Sequence, residues 1–177
     1  TSAADWTGDW PLATLPQAIN PVQGFLASAN QEPFDPRVNP RYLGADWYTP
    51  WRAIRINQLL RADSSVTPDA MRRYQTDPGS PAADFFVPAF FRAARHFPGR
   101  DSLQRAARLL AQWDRRYTRE NTRAVLYETA MHELQTLLWD ELAFSPPNGL
   151  SPPDLPGFGI VAELLQDPSN PWWDNLG

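Results

Sequence analysis

Apolar positions along the chain follow two regimes. From residue 1 to about residue 50 they are scattered among Pro, Asn, Asp and Gly, with one continuous apolar run, Gly24-Phe25-Leu26-Ala27-Ser28-Ala29-Asn30. Turn-forming residues bound that run on both sides, which predicts a short strand. Beyond residue 50 the apolar positions recur at helical spacing, broken by Pro and Gly. The pattern predicts a turn-rich segment over 1–50 with one strand and a helical segment over 51–177, together one structural unit. The expected fold class is mainly α with a short β portion near the N-terminus.

Individual helices can be read from their start and stop signals. Ile54, Ile56, Leu59 and Leu60 predict a helix from Trp51 to about Ala62, with Arg52, Arg55, Gln58 and Arg61 mostly outward. Thr67 before Pro68 predicts an N-cap with Pro at the first helical position, and Asp77-Pro78-Gly79 ends that helix. Ser80-Pro81 repeats the signal. Phe85, Phe86, Phe90 and Phe97 then share one face that calls for burial, and Pro88 should kink the helix or delay its start. Asp101 is expected to cap a fourth helix with Leu103, Ala107, Leu110 and Trp113 inward. The longest helix is expected from about Arg119 to Leu142, on the stripe Tyr127, Ala130, Met131, Leu134, Leu138 and Leu142. A Pro-rich loop from Ser145 to Pro156, a short apolar segment from Phe158 to Leu165 and a tail holding Trp172 and Trp173 complete the chain.

Composition narrows the classes of function. With 177 residues, 42% hydrophobic and 20% charged, the chain is long and apolar enough to fold around its own core. Its 19 prolines account for the segmented helices. The net charge of −4, from 16 basic and 20 acidic residues, leaves no positive field for a phosphate backbone, so no nucleic-acid partner is expected. No stretch approaches the roughly 18 consecutive apolar residues of a membrane span, and the opening residues lack the basic and apolar regions of a signal peptide. The absence of Cys removes disulfides, thiolate nucleophiles and Cys-based metal sites.

Several residues invite a chemical reading. Thr1 could attack through its hydroxyl with its own α-amine as base, but no apolar strand follows to hold such a terminus rigid. Glu128, His132 and Glu133 lie on or beside one helical face, a geometry that fits a metal; two His in the whole chain fall short of a ligand set, and a solvated helix face is the expectation. Asp5, Asp9, Asp35, Asp46 and Asp77 mostly sit beside Pro, Gly or Trp, where Asp serves turns and caps rather than paired acid–base work. Ser64, Ser65, Ser80 and Ser145 lack the GxSxG elbow. Trp47, Trp51, Trp172 and Trp173 could stack on a ligand, but burial is the simpler expectation. No cofactor and no metal are expected.

Longer phrases carry a family signature. Asp5-Trp6-Thr7-Gly8, Pro16, Asn20-Pro21, Gly24-Phe25-Leu26 and Ala29-Asn30-Gln31 occur in that order. Trp51-Arg52-Ala53-Ile54-Arg55-Ile56 with Leu59-Leu60 follows, then Tyr74-Gln75-Thr76-Asp77 with Ser80 and Ala83, then Trp113-Asp114 ahead of Thr122-Arg123-Ala124. Together these phrases resemble the β chain of the penicillin acylase (penicillin amidase) family of N-terminal-nucleophile hydrolases. The resemblance implies a piece of an αββα fold whose α chain, N-terminal Ser, oxyanion-hole Asn and downstream strands all fall before Thr1 or after Gly177.

It also implies a reaction. In the family, the hydroxyl of a terminal Ser attacks a side-chain amide, as in penicillins, acyl-homoserine lactones or acylated peptides. The Ser α-amine relays the proton, and backbone and Asn donors stabilise the oxyanion. On that reading the chain has no catalytic residue of its own and is inactive alone. Its partners are the rest of the acylase and, for the parent, a small acylated amide. Asn30 and Gln31, at the end of the predicted strand, reach toward the substrate pocket. Location would be periplasmic or secreted, as in the family. The contrasting expectation is a non-enzymatic helical interaction or binding module whose Trp- and Pro-rich loops form the contact surface.

Overall fold

The structure, a computed structural model, describes residue 5 and residues 8–35, 37–39, 42–44, 46–142 and 154–173. Among the described residues six α-helices carry the fold: α1 (Trp51–Arg61), α2 (Pro68–Gln75), α3 (Pro81–Ala94), α4 (Asp101–Ala111), α5 (Thr122–Leu138) and α6 (Phe158–Leu164). Short 3₁₀ turns lie at Leu12–Thr14 and Asp140–Leu142. None of these helices is long and apolar enough to cross a membrane.

Start signals act through their side chains. The Thr67 hydroxyl accepts from Ala70 N at 3.1 Å and the Ser80 hydroxyl from Ala83 N at 3.2 Å, each satisfying one orphan donor at the head of α2 and α3. Asp101 departs from expectation: it is the first residue of α4, and Arg100 occupies the cap position without a side-chain bond. Its charge still suits the positive end of the helix dipole. Pro88 does not delay α3, which runs unbroken from Pro81 with Pro88 inside it. The missing N–H costs one intrahelical bond. Phe86 and Val87, both essentially inaccessible, hold this stretch of the helix in the core regardless.

The core lies where α3, α4, α5 and α6 meet, around Phe86, Trp113, Met131, Trp139 and Val161. Rings interlock there: Phe86 meets Phe158 at 6.2 Å between centroids, and Trp113 meets Tyr127 at 5.4 Å. α5 is shorter than its apolar stripe predicts. It ends at Leu138 because Trp139 leaves helical geometry, and the indole of Trp139 is 2% exposed. The aromatic face of α3 is only partly buried; Phe86 is inaccessible and Phe90 packs against the core, whereas Phe85 and Phe97 remain exposed.

The strand expected over Gly24–Asn30 does not form. Among the described residues the only β-type pairing is an isolated antiparallel bridge between Gly79 and Arg116. A strand needs a neighbour to receive its ladder groups, and this run finds one only at its end, where Tyr48 N donates to Asn30 O at 2.9 Å. Leu26, in the middle of the run, is 65% exposed.

Candidate functional site

Asn30 closes the apolar run in a left-handed conformation, φ +61°, which Asn tolerates better than most residues. The turn is tied on every side. Ala29 N donates to Gln31 Oε1 at 2.7 Å, so the Gln31 side chain folds back on the residue before Asn30. Arg52 Nη2 donates to Ala29 O at 3.0 Å and to Asn30 Oδ1 at 2.9 Å. The Arg52 guanidinium also lies 5.2 Å from the centre of the Tyr48 ring, and it is Tyr48 N that bonds Asn30 O. Ala29, at the middle of this knot, is buried.

The chemical consequence lies in the Asn30 amide. A carboxamide has one acceptor oxygen and two N–H donors. With the oxygen committed to a guanidinium, the orientation of the group is fixed and its two donors are left for another acceptor. An N–H held in place suits a carbonyl oxygen, and suits it better as negative charge develops there.

Arg52 reads from sequence merely as an outward residue of α1. One signal marks it: it stands one residue inside the N-terminus of a helix whose first turn holds no acidic residue. A cation at the positive end of the dipole is unfavourable unless something receives it, and here the Ala29-Asn30 turn does.

Beside the turn a cleft of about 910 Å³ opens between the N-terminal segment and α6, lined among others by Gln31, Glu32, Phe34, Trp47, Tyr48 and Glu163. Gln31 therefore lines the cleft, while Asn30 neighbours it in the chain. Asp35, also on the wall, is paired with Arg37 at 2.7 Å, which holds its carboxyl down at about 2. The Trp47 indole donates to Gly44 O at 3.1 Å.

The remaining candidates sit elsewhere. The Glu128 carboxylate accepts from the Tyr117 hydroxyl, and among the described residues no three His, Asp or Glu side chains gather as a metal site. Asp77 pairs with two arginines rather than with a second carboxylate. Ser80 is a helix cap. Trp51 packs on Phe85 and Phe86, Trp172 on Trp139, and the Trp173 indole donates to Leu164 O at 3.0 Å. Thr1 and Ser145 lie outside the described residues.

The sequence profile described as penicillin amidase matches residues 1–176. The chain belongs to the penicillin amidase family. It is 29% identical over 195 aligned positions to the acyl-homoserine lactone acylase QuiP of Pseudomonas aeruginosa. That alignment takes in 97% of this chain but 22% of the relative, so the chain spans about a fifth of the length of that curated relative. The matched span includes the Asn30 turn and Arg52.

Proposed function

We propose that this chain is a structural and substrate-contacting part of an acylase that hydrolyses a side-chain amide of an acylated substrate, an acyl-homoserine lactone being one candidate. The observation that carries the reading is the Asn30 amide, its oxygen held by Arg52 and its N–H donors without a partner among the described residues. In the parent, a nucleophile from outside this chain attacks the amide carbonyl. The carbonyl oxygen becomes an oxyanion, and Asn30 donates to it, a role that the resemblance alone assigns to an Asn outside this chain. Gln31 supports the turn from the cleft side and lines the way to it.

On the same reading the chain is one piece of an αββα hydrolase β chain. The run Gly24–Asn30, unpaired here, gains strand partners from the rest of that β chain. Residues 1–50 bring the turn and the wall of the cleft, and residues 51–177 bring the helices that hold them. The chain alone lacks the nucleophile and is inactive. Its partners are the remaining parts of the acylase.

The test is Asn30→Ala and Asn30→Leu in the full-length parent, assayed with acyl-homoserine lactones and chromogenic acyl-anilides. Loss of an oxyanion donor lowers kcat by about 10²–10³-fold, with a smaller change in KM. Wild-type turnover that survives both substitutions would remove Asn30 from the reaction.

A further inference from the structure

α1 has little of its own to fix its position. It buries one side chain, Ala53, and Pro50 precedes it without a side-chain cap. Trp51 rests on Phe85 and Phe86 of α3 at one end of the helix, and Arg61 Nη2 donates to Gln23 Oε1 at 2.9 Å at the other. The tether nearest Arg52 comes one turn beyond it, where Arg55 Nε donates to Asp77 Oδ1 at 2.6 Å.

Asp77 is itself rigidly placed. Its side chain is 12% exposed, its Oδ1 also accepts from Gly79 N at 2.9 Å, and its Oδ2 accepts from Arg116 Nη2 at 3.0 Å. Around it the chain forms a backbone seam: Ser80 N donates to Arg115 O at 3.0 Å and Tyr117 N to Pro78 O at 2.9 Å. Gly79 supplies an independent observation. A Cβ on this residue would stand 2.6 Å from both Cζ and Nε of Arg55, so the guanidinium fills the space that any other residue would need.

We propose that Asp77 is a positioning residue for the Asn30 turn, acting through Arg55 to fix where α1 holds Arg52. This rests on the reading of Asn30 as a donor to the substrate carbonyl. Asp77 touches no substrate. Its effect runs from the seam through the Arg55 guanidinium to α1, then one helical turn back to Arg52 and across to the Asn30 amide.

Two readouts on the full-length parent test it. Tyr48 N bonds Asn30 O, so its hydrogen exchange reports whether the turn is held. In Asp77→Asn that exchange should accelerate about tenfold, while protection in α5 stays as in wild type. The amide-hydrolysis kcat should fall about tenfold with KM little changed, as misplacement of a donor does. Gly79→Ala, which displaces the Arg55 guanidinium while keeping the Asp77 carboxylate, should do the same. Unchanged Tyr48 exchange in both variants would overturn the proposal, and so would equal acceleration across α5, which marks a purely structural residue. Should Asp77→Asn fail to fold, Arg55→Lys carries the same measurements. A wild type that hydrolyses no amide would sink the Asn30 reading, while the exchange data would still decide the positioning role.

Discussion

One nitrogen of Arg52, Nη2, serves both the carbonyl of Ala29 at 3.0 Å and the side-chain oxygen of Asn30 at 2.9 Å. The guanidinium thereby fixes the backbone and the side chain of the same turn. Arg52→Leu leaves both acceptors without a donor and lets the Asn30 amide rotate. Turnover by the full-length parent should fall by about 10–100-fold. Because Arg52 is exposed, its removal should cost about 1 kcal/mol or less of stability. Kinetics together with a thermal melt check this, and full activity in the variant would show that the amide needs no fixing.

Phe86 and Phe90 stand one turn apart on α3 and differ in burial. Phe86 is inaccessible, so Phe86→Ala should destabilise the chain by about 3–5 kcal/mol. Phe90 is only partly covered, and Phe90→Ala should cost about 1–2 kcal/mol. Urea melts of the two variants give the order directly; equal losses would mean that the two rings are buried alike.

Acid should reveal Asp77. Its bonds to Arg55 above all, and to Gly79 N and Arg116, hold the carboxyl at about 2 in the folded chain, below the roughly 3.9 of an unfolded Asp. A folded pKa lowered in this way contributes stability that is complete above about pH 5 and drains as pH falls through 4 toward 2. The stability advantage of wild type over Asp77→Asn should therefore narrow on acidification. Urea melts at pH 6, 4 and 3 measure it, and an advantage that stays constant would contradict the pairing.

The helices were legible because their ends are written in side chains whose role is local. Thr67-Pro68 and Ser80-Pro81 announce α2 and α3, and the structure uses both hydroxyls as read. The limits of α5 were less legible, since they depend on Trp139 leaving the helix, a tertiary effect that no periodicity encodes. Gly24–Asn30 has the composition of a strand, but pairing is a property of two segments, and one sequence stretch reports only its own half. At the site, Asn30 and Gln31 could be singled out from the resemblance. Arg52 and Asp77 stand in the same family phrases, but their roles could not be read there, because their partners lie 22 and 39 residues away in sequence, at Asn30 and Arg116.

Asn30 combines two properties in one residue, a left-handed backbone and an oriented carboxamide. Few substitutions separate them. Gly keeps the backbone and discards the amide; Gln keeps the amide but lengthens it and loses the tolerance for positive φ. Asp keeps the shape, replaces the donors with a charge and becomes an ion-pair partner of Arg52. Any rate measured on a variant of this position is therefore a composite of conformation and chemistry, and only a cycle that pairs it with Arg52 can apportion the two.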